Sequence, residues 1–194
     1  MPPPPAWPEL AGRTVGILGY GRIGQAVAKR ARAFEMTVCA IRRAVGESAE
    51  DDLELLGGLD VLDEVLQRAD YLVVTLPLTS ETRGLLGRRQ LSLLRTGAIV
   101  VNVSRGDVID EDALYEALAE RRIGGAALDV WYRYPTGPEP TLPAHRPFHE
   151  LDNVLMTPHV SGWTDGMLEA RATVIAENIR RVVRGEPLVN RVPV

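Results

Sequence analysis

Residues 13–24 read RTVGILGYGRIG, and this stretch decides the fold. The apolar run Arg13–Leu18 reads as a buried strand. Gly19, Gly21 and Gly24 then carry the chain into an amphipathic helix, Arg22–Glu35, with an alanine-rich packing face. Glycines in a G-x-G-x-x-G pattern between a strand and a helix suit a dinucleotide pyrophosphate. The first permits the tight turn, the second lets the backbone approach the phosphates, and the third lets helix and strand pack closely. The phosphate charge then rests on free N–H groups at a helix start. The same pattern also serves as a purely structural turn in flavodoxin-like or methyltransferase domains. The rest of the chain argues for the dinucleotide.

Working outward, short apolar runs alternate with longer amphipathic ones. Met36–Ile41, Tyr71–Leu76, Ala98–Val103, Gly125–Val130 and Asn153–Thr157 read as five more strands. Helices are expected over Val61–Ala69, in pieces over Glu81–Leu94, over Glu111–Arg122 behind an Asp110 N-cap, and over Asp165–Arg184. Continuous apolar strands separated by helices specify a parallel sheet covered on both faces, the doubly wound α/β Rossmann architecture. The sequence predicts one such domain over residues 10–190, behind a proline-rich tail over residues 1–9. The proline-rich stretch Tyr132–Glu150 is the one long irregular connection, and loops of that length usually carry function or mobility.

Bulk properties narrow the function. The 194 residues carry a net charge of −4. That balance gives no attraction for nucleic acid or an anionic membrane. No apolar run approaches the roughly 20 residues a spanning helix needs. The single cysteine, Cys39, cannot form an intrachain disulfide, so a cytoplasmic location follows by default. No metal site is expected.

The end of the second strand is diagnostic. NAD-binding domains usually place Asp or Glu there to hold the adenosine ribose hydroxyls. This chain has Arg42 and Arg43 instead. Two guanidiniums suit a ribose 2′-phosphate, so NADP is expected ahead of NAD. The plain alternative is two solvated surface arginines.

Reactive side chains follow three later strands, where ligands bind in this architecture. They are Arg105 in Asn102–Gly106, Asp129 before Val130 and Trp131, and His159 in Thr157–Gly162. Ketone reduction needs a cation for the substrate carboxylate and carbonyl, and an acid to protonate the new alkoxide. Arg105 and His159 are the right types. Singly, each is equally at home as a surface salt-bridge partner or a satisfied loop histidine.

Thr14–Gly24, Leu76–Thr79 with Glu81–Gly84, Asn102–Gly106, Ala127–Val130 and Pro158-His159 stand in an order that resembles one known family. It is the nucleotide-binding domain of the D-isomer-specific 2-hydroxyacid dehydrogenases, and the likeness runs from about Leu10 to the C-terminus. The resemblance implies that Arg105 binds the substrate carboxylate and that His159 gives or takes the proton. It places Arg22 and Ile23 on the pyrophosphate, Thr75, Leu76 and Pro77 along the adenosine, and Val103 and Ser104 beside the nicotinamide ribose. Asp129 would meet the carboxamide, with Ser161 and Gly162 near the ring. The substrate would be a small 2-oxo or 2-hydroxy acid, and the family's dimer contact makes a homodimer the expected assembly.

Two departures qualify this. The family usually has a glutamate before a proline to orient the histidine, whereas here Tyr134 precedes Pro135. A phenol is neutral near pH 7 and cannot stabilise an imidazolium by charge, though it can orient the ring. Formate dehydrogenases of this family carry a neutral glutamine there, so formate oxidation stays open. Family chains also place most of a substrate domain ahead of the glycine turn, and that domain is expected to be largely absent here. The sequence therefore leaves three readings: the cofactor half of a longer or split dehydrogenase, a catalytically silent dinucleotide-binding module, or a formate-type enzyme.

Overall fold

The structure, a computed structural model, describes residues 8–43 and 53–191. The proline-rich tail expected over residues 1–9 lies outside the described residues, apart from its last two.

Seven strands form one parallel sheet: β1 (Thr14–Leu18), β2 (Thr37–Ile41), β3 (Leu55–Gly57), β4 (Tyr71–Val74), β5 (Ile99–Asn102), β6 (Gly125–Leu128) and β7 (Val154–Met156). Their order is β3-β2-β1-β4-β5-β6-β7. The chain winds outward from β1 in one direction and then from β4 in the other. The crevice between β1 and β4 is the switch point, where ligands of open α/β sheets bind.

The strands are apolar on both faces because both are covered. Val15, Ile17, Val38 and Ala40 pack beneath helix α1 (Arg22–Ala33), through its Ala28 and Ala31. Leu18, Cys39, Ile41 and Leu72 face the opposite core. There they join buried side chains of α2 (Leu62–Arg68), α3 (Arg88–Ser92) and α4 (Glu111–Ala119). Alternation along each strand thus feeds two cores rather than one core and solvent.

Three expectations needed correction. The short β3 goes beyond the strands read from the sequence: its three residues, LLG, are too few to show a pattern, and pairing with β2 makes them a strand. The segment Glu81–Leu94 is helical only over α3. Ahead of α3, Leu86 runs alongside Ile109, held by Leu86 N–H to Val108 and Asp110 N–H to Leu86. The α4 helix begins as expected, with Asp110 accepting from Ala113 N–H at 2.8 Å. It ends early, because Arg121 turns to φ 54°.

The irregular stretch 132–150 contains only a short 3₁₀ turn, Phe148–Glu150. Phe148 is fully buried, edge-on to Tyr115 and Trp131 and stacked on Tyr132. The Glu111 carboxylate accepts the backbone N–H groups of His145 and Arg146. Aromatic burial and two carboxylates, Glu111 and the Asp112 that accepts from Arg146 Nε at 2.6 Å, fasten a loop that has no ladder of its own.

Contacts divide the chain into Met1–His159 and Val160–Val194. The second unit is built on helix α5 (Met167–Arg184), which ends at the left-handed Gly185. Its following segment is tied back by paired bonds between Asn178 and Val189. Among the described residues no helix is long and apolar enough to cross a membrane, and no cluster of His, Cys, Asp or Glu could hold a metal.

Candidate dinucleotide and acid site

The site is assembled from the C-terminal ends of the parallel strands. At β1, Gly19 adopts φ 106° and its N–H joins that of Tyr20 in donating to the Ile41 carbonyl of β2. Thr75, just past β4, donates its hydroxyl to the Gly19 carbonyl at 2.7 Å. The glycine turn is thereby pinned from both neighbouring strands. A Cβ on Gly24 would overlap the Gly19 carbonyl, so only glycine lets α1 start this close to β1.

Helix α1 offers a place for negative charge. Its N-cap, Gly21, provides no side-chain acceptor, and its first turn has no acidic residue. A Cβ on Gly21 would meet nothing within 4 Å, so the space above the turn is open. Arg22 and Ile23, both exposed, begin the helix there. Free N–H groups and the helix dipole together favour an anion at such a start.

Beside the turn lies a cavity of about 460 Å³, within the roughly 300–1,000 Å³ usual for small-molecule sites. Gly19, Tyr20 and Gly21 form one wall, Thr75, Leu76 and Pro77 another, and Leu59 and Ile41 add apolar surface. Arg42 and Arg43 line its β2 end, and Glu81 contributes a carboxylate. An uncapped helix start, an apolar slot and two guanidiniums fit a nicotinamide dinucleotide.

The reactive groups gather past β5, β6 and β7. Asn102, buried at the end of β5, braces the turn that follows. Its Oδ1 accepts from the Ser104 N–H and hydroxyl, and its Nδ2 donates to the Arg105 carbonyl. Arg105 stands exposed, one guanidinium nitrogen donating to the Ser104 carbonyl. Gly106 follows, where a Cβ would lie 2.5 Å from the Trp131 carbonyl oxygen. Glycine alone allows the Arg105 turn to approach the backbone beyond β6.

Past β6 and β7 a single network runs through five residues. Thr157 donates its hydroxyl to the buried Asp129 carboxylate at 2.6 Å. The Trp131 indole N–H donates to the Thr157 carbonyl at 2.9 Å. The Trp131 backbone N–H donates to the Tyr134 hydroxyl at 3.1 Å, and that hydroxyl lies 3.0 Å from His159 Nδ1. His159 itself has φ 59°, an uncommon backbone for a non-glycine residue.

Sequence reasoning singled out Tyr134, His159 and Asp129, and the structure brings them into one network. Gly19, Gly21, Arg42, Arg43, Thr75, Leu76 and Pro77 meet around the cavity. Val103 and Ser104 sit beyond β5, while Ser161 and Gly162 fall in the second unit. Asn102, Trp131 and Thr157 were not singled out as site residues. A buried amide closing the apolar run AIVVN was a usable signal for Asn102. Nothing in the sequence pairs Thr157 with Asp129.

Comparison with known proteins agrees with this geometry. The family model described as "D-isomer specific 2-hydroxyacid dehydrogenase, NAD binding domain" matches residues 3–161. The D-3-phosphoglycerate dehydrogenase of Methanocaldococcus jannaschii is 43% identical over 182 residues, which are 92% of this chain and 32% of that protein. The glyoxylate reductase of Pyrococcus furiosus is 40% identical over 186 residues, 94% of this chain and 53% of that protein. A crystal structure of a D-isomer specific 2-hydroxyacid dehydrogenase from Xanthobacter autotrophicus Py2, in complex with NADPH and MES, superposes with a TM-score of 0.80 at 37% identity. That match covers 93% of this chain and 71% of the other. The chain thus spans a third to a half of the curated relatives it matches. A doubly wound sheet, a glycine turn at its switch point and a family match over most of the chain place this protein in the NAD-binding-domain family of the D-isomer-specific 2-hydroxyacid dehydrogenases.

Proposed function

We propose that this domain holds NADP(H) for an oxidoreductase that interconverts a small 2-oxo acid and its 2-hydroxy acid. It would work with a substrate-covering domain, as the resemblance to the family implies. The observation that carries the reading is the placing of Arg105, Asp129 and His159 past three adjacent strands, at the same C-terminal edge of the sheet as the glycine turn.

In this reading the N–H groups of Arg22 and Ile23 hold the pyrophosphate, and Gly24 sets the helix at the right depth. Thr75, Leu76 and Pro77 border the adenosine. Arg42 and Arg43 take the 2′-phosphate, a bidentate guanidinium task. Val103 and Ser104 flank the nicotinamide ribose, and Asp129 accepts from the carboxamide. Bound nicotinamide supplies the two-electron chemistry. Arg105 binds the acid's carboxylate and polarises its carbonyl. His159 gives a proton to the developing alkoxide or takes one from the hydroxyl. Ser161 and Gly162 are assigned to the cofactor side by resemblance. Homodimerisation and a cytoplasmic setting belong to the same proposal.

The test is cofactor binding by the chain, followed by NADPH oxidation with glyoxylate, hydroxypyruvate and pyruvate. Tighter NADPH than NADH binding, with turnover of at least one acid, supports the proposal. Equal or tighter NADH binding removes the NADP assignment. Binding without turnover favours the second reading, a silent dinucleotide-binding module. NADP⁺ reduction with formate alone points to the formate-type reaction.

A further inference from the structure

The Tyr134 hydroxyl is held by two partners, and their chemistry fixes the direction of one bond. Trp131 N–H is a backbone donor, so Tyr134 Oη accepts from it. The same oxygen faces His159 Nδ1 at 3.0 Å, with the rings tilted by 50°. A hydroxyl carries one proton to donate. An oxygen that already accepts an N–H is polarised towards giving its own proton onward. The unprotonated nitrogen of a neutral imidazole is a ready acceptor, and Nδ1 is the ring atom presented to the phenol. A carboxylate at position 134 would do the opposite, since it only accepts and would require Nδ1–H.

We propose that Tyr134 is a positioning residue that donates to Nδ1 and holds neutral His159 as its Nε2–H tautomer. This rests on the dehydrogenase reading only for its consequence. With Nε2 already protonated, the neutral ring donates a hydrogen bond to the carbonyl oxygen of a 2-oxo acid. The hydroxyl proton of a 2-hydroxy acid finds no acceptor on this tautomer, so His159 takes that proton only in its minor Nδ1–H form. The site therefore takes the oxo acid in preference to its reduced counterpart without needing the imidazolium.

Long-range ¹H–¹⁵N NMR of the ¹⁵N-histidine-labelled chain at mildly alkaline pH reads the tautomer directly, with His159 assigned through His159→Gln. Expected is a protonated Nε2 and an imine-type Nδ1 moved upfield by accepting a hydrogen bond. Tyr134→Phe should remove that upfield displacement, and Tyr134→Glu should move the proton to Nδ1. A protonated Nδ1 in the native chain, or an Nδ1 resonance unchanged by Tyr134→Phe, overturns the proposal. Two dead-end pairs then test the consequence: NADP⁺ with pyruvate and NADPH with D-lactate. Pyruvate should shift the Nε2 resonance at lower concentration. An equal or stronger response to D-lactate overturns the oxo-acid preference. No response to either, with the tautomer intact, overturns the oxo-acid preference and leaves the tautomer assignment standing.

Discussion

Thr157 donates its hydroxyl to the Asp129 carboxylate at 2.6 Å and so joins the loops beyond β6 and β7. Asp129 is only 4% exposed, and a buried carboxylate must be satisfied by donors. Hydrogen bonds to charged groups contribute about 1.5–3 kcal/mol. Thr157→Val keeps the shape and deletes the donor. We expect a stability loss of about that size in urea unfolding, with weaker binding of the nicotinamide end of the cofactor. Thr157→Ser should restore both. Native stability and affinity in Thr157→Val would show that Asp129 is held by other means.

Arg42 lines the cavity at the end of β2, where an acid would meet ribose hydroxyls. Arg42→Asp replaces a cation with an anion beside the proposed 2′-phosphate. We expect the Kd for NADPH to rise roughly ten- to a hundredfold, about 1.4–2.8 kcal/mol, while the Kd for NADH changes little or falls. Equal losses for both cofactors would assign Arg42 to the common part of the dinucleotide.

The glycine turn and its flanking strand and helix were legible because each residue there answers a local demand. Gly19 needs a positive φ and Gly24 needs a missing Cβ, and both needs show in the sequence. Arg105, Asp129 and His159 were legible from their places after apolar runs. The Thr157–Asp129 bond was not, because it spans 28 residues and depends on the register of β6 with β7. The same holds for β3, which exists through its pairing with β2 rather than through its own pattern. Local chemistry reads along the chain, whereas cross-strand chemistry reads only after the sheet is ordered.

Gly106 is a test of that second kind. A Cβ there would press on the Trp131 carbonyl oxygen and carbon and on the Tyr132 nitrogen, all backbone atoms that cannot rotate away. Gly106→Ala should cost about 1–3 kcal/mol, as overpacked sites do. It should also part the Arg105 turn from the Trp131–Tyr134 loop. The checks are a lower urea midpoint and, where turnover is measured, a higher KM for the acid. An unchanged midpoint would mean the two backbones separate without cost.

Tyr132 gives the fold an alkaline limit. Its ring stacks on Phe148, and its ionisation is pushed far above the ordinary phenol range. Burial is the largest cause, and the negative charges of Glu111, Asp110 and Asp107 add to it. The folded state thus keeps a proton that the unfolded chain releases near the ordinary tyrosine value of about 10. Above that pH the unfolded state binds fewer protons, so stability falls as pH rises. Below it the contribution is fully present. Spectrophotometric titration, taken as the difference between the native chain and Tyr132→Phe, should therefore show Tyr132 ionising only with loss of near-ultraviolet dichroism. Tyr132→Phe deletes the titration and keeps the stacked ring, so its alkaline unfolding midpoint should move to higher pH. An unchanged midpoint in that variant, or ionisation of Tyr132 with the near-ultraviolet dichroism intact, would show that this loop opens before the fold is lost.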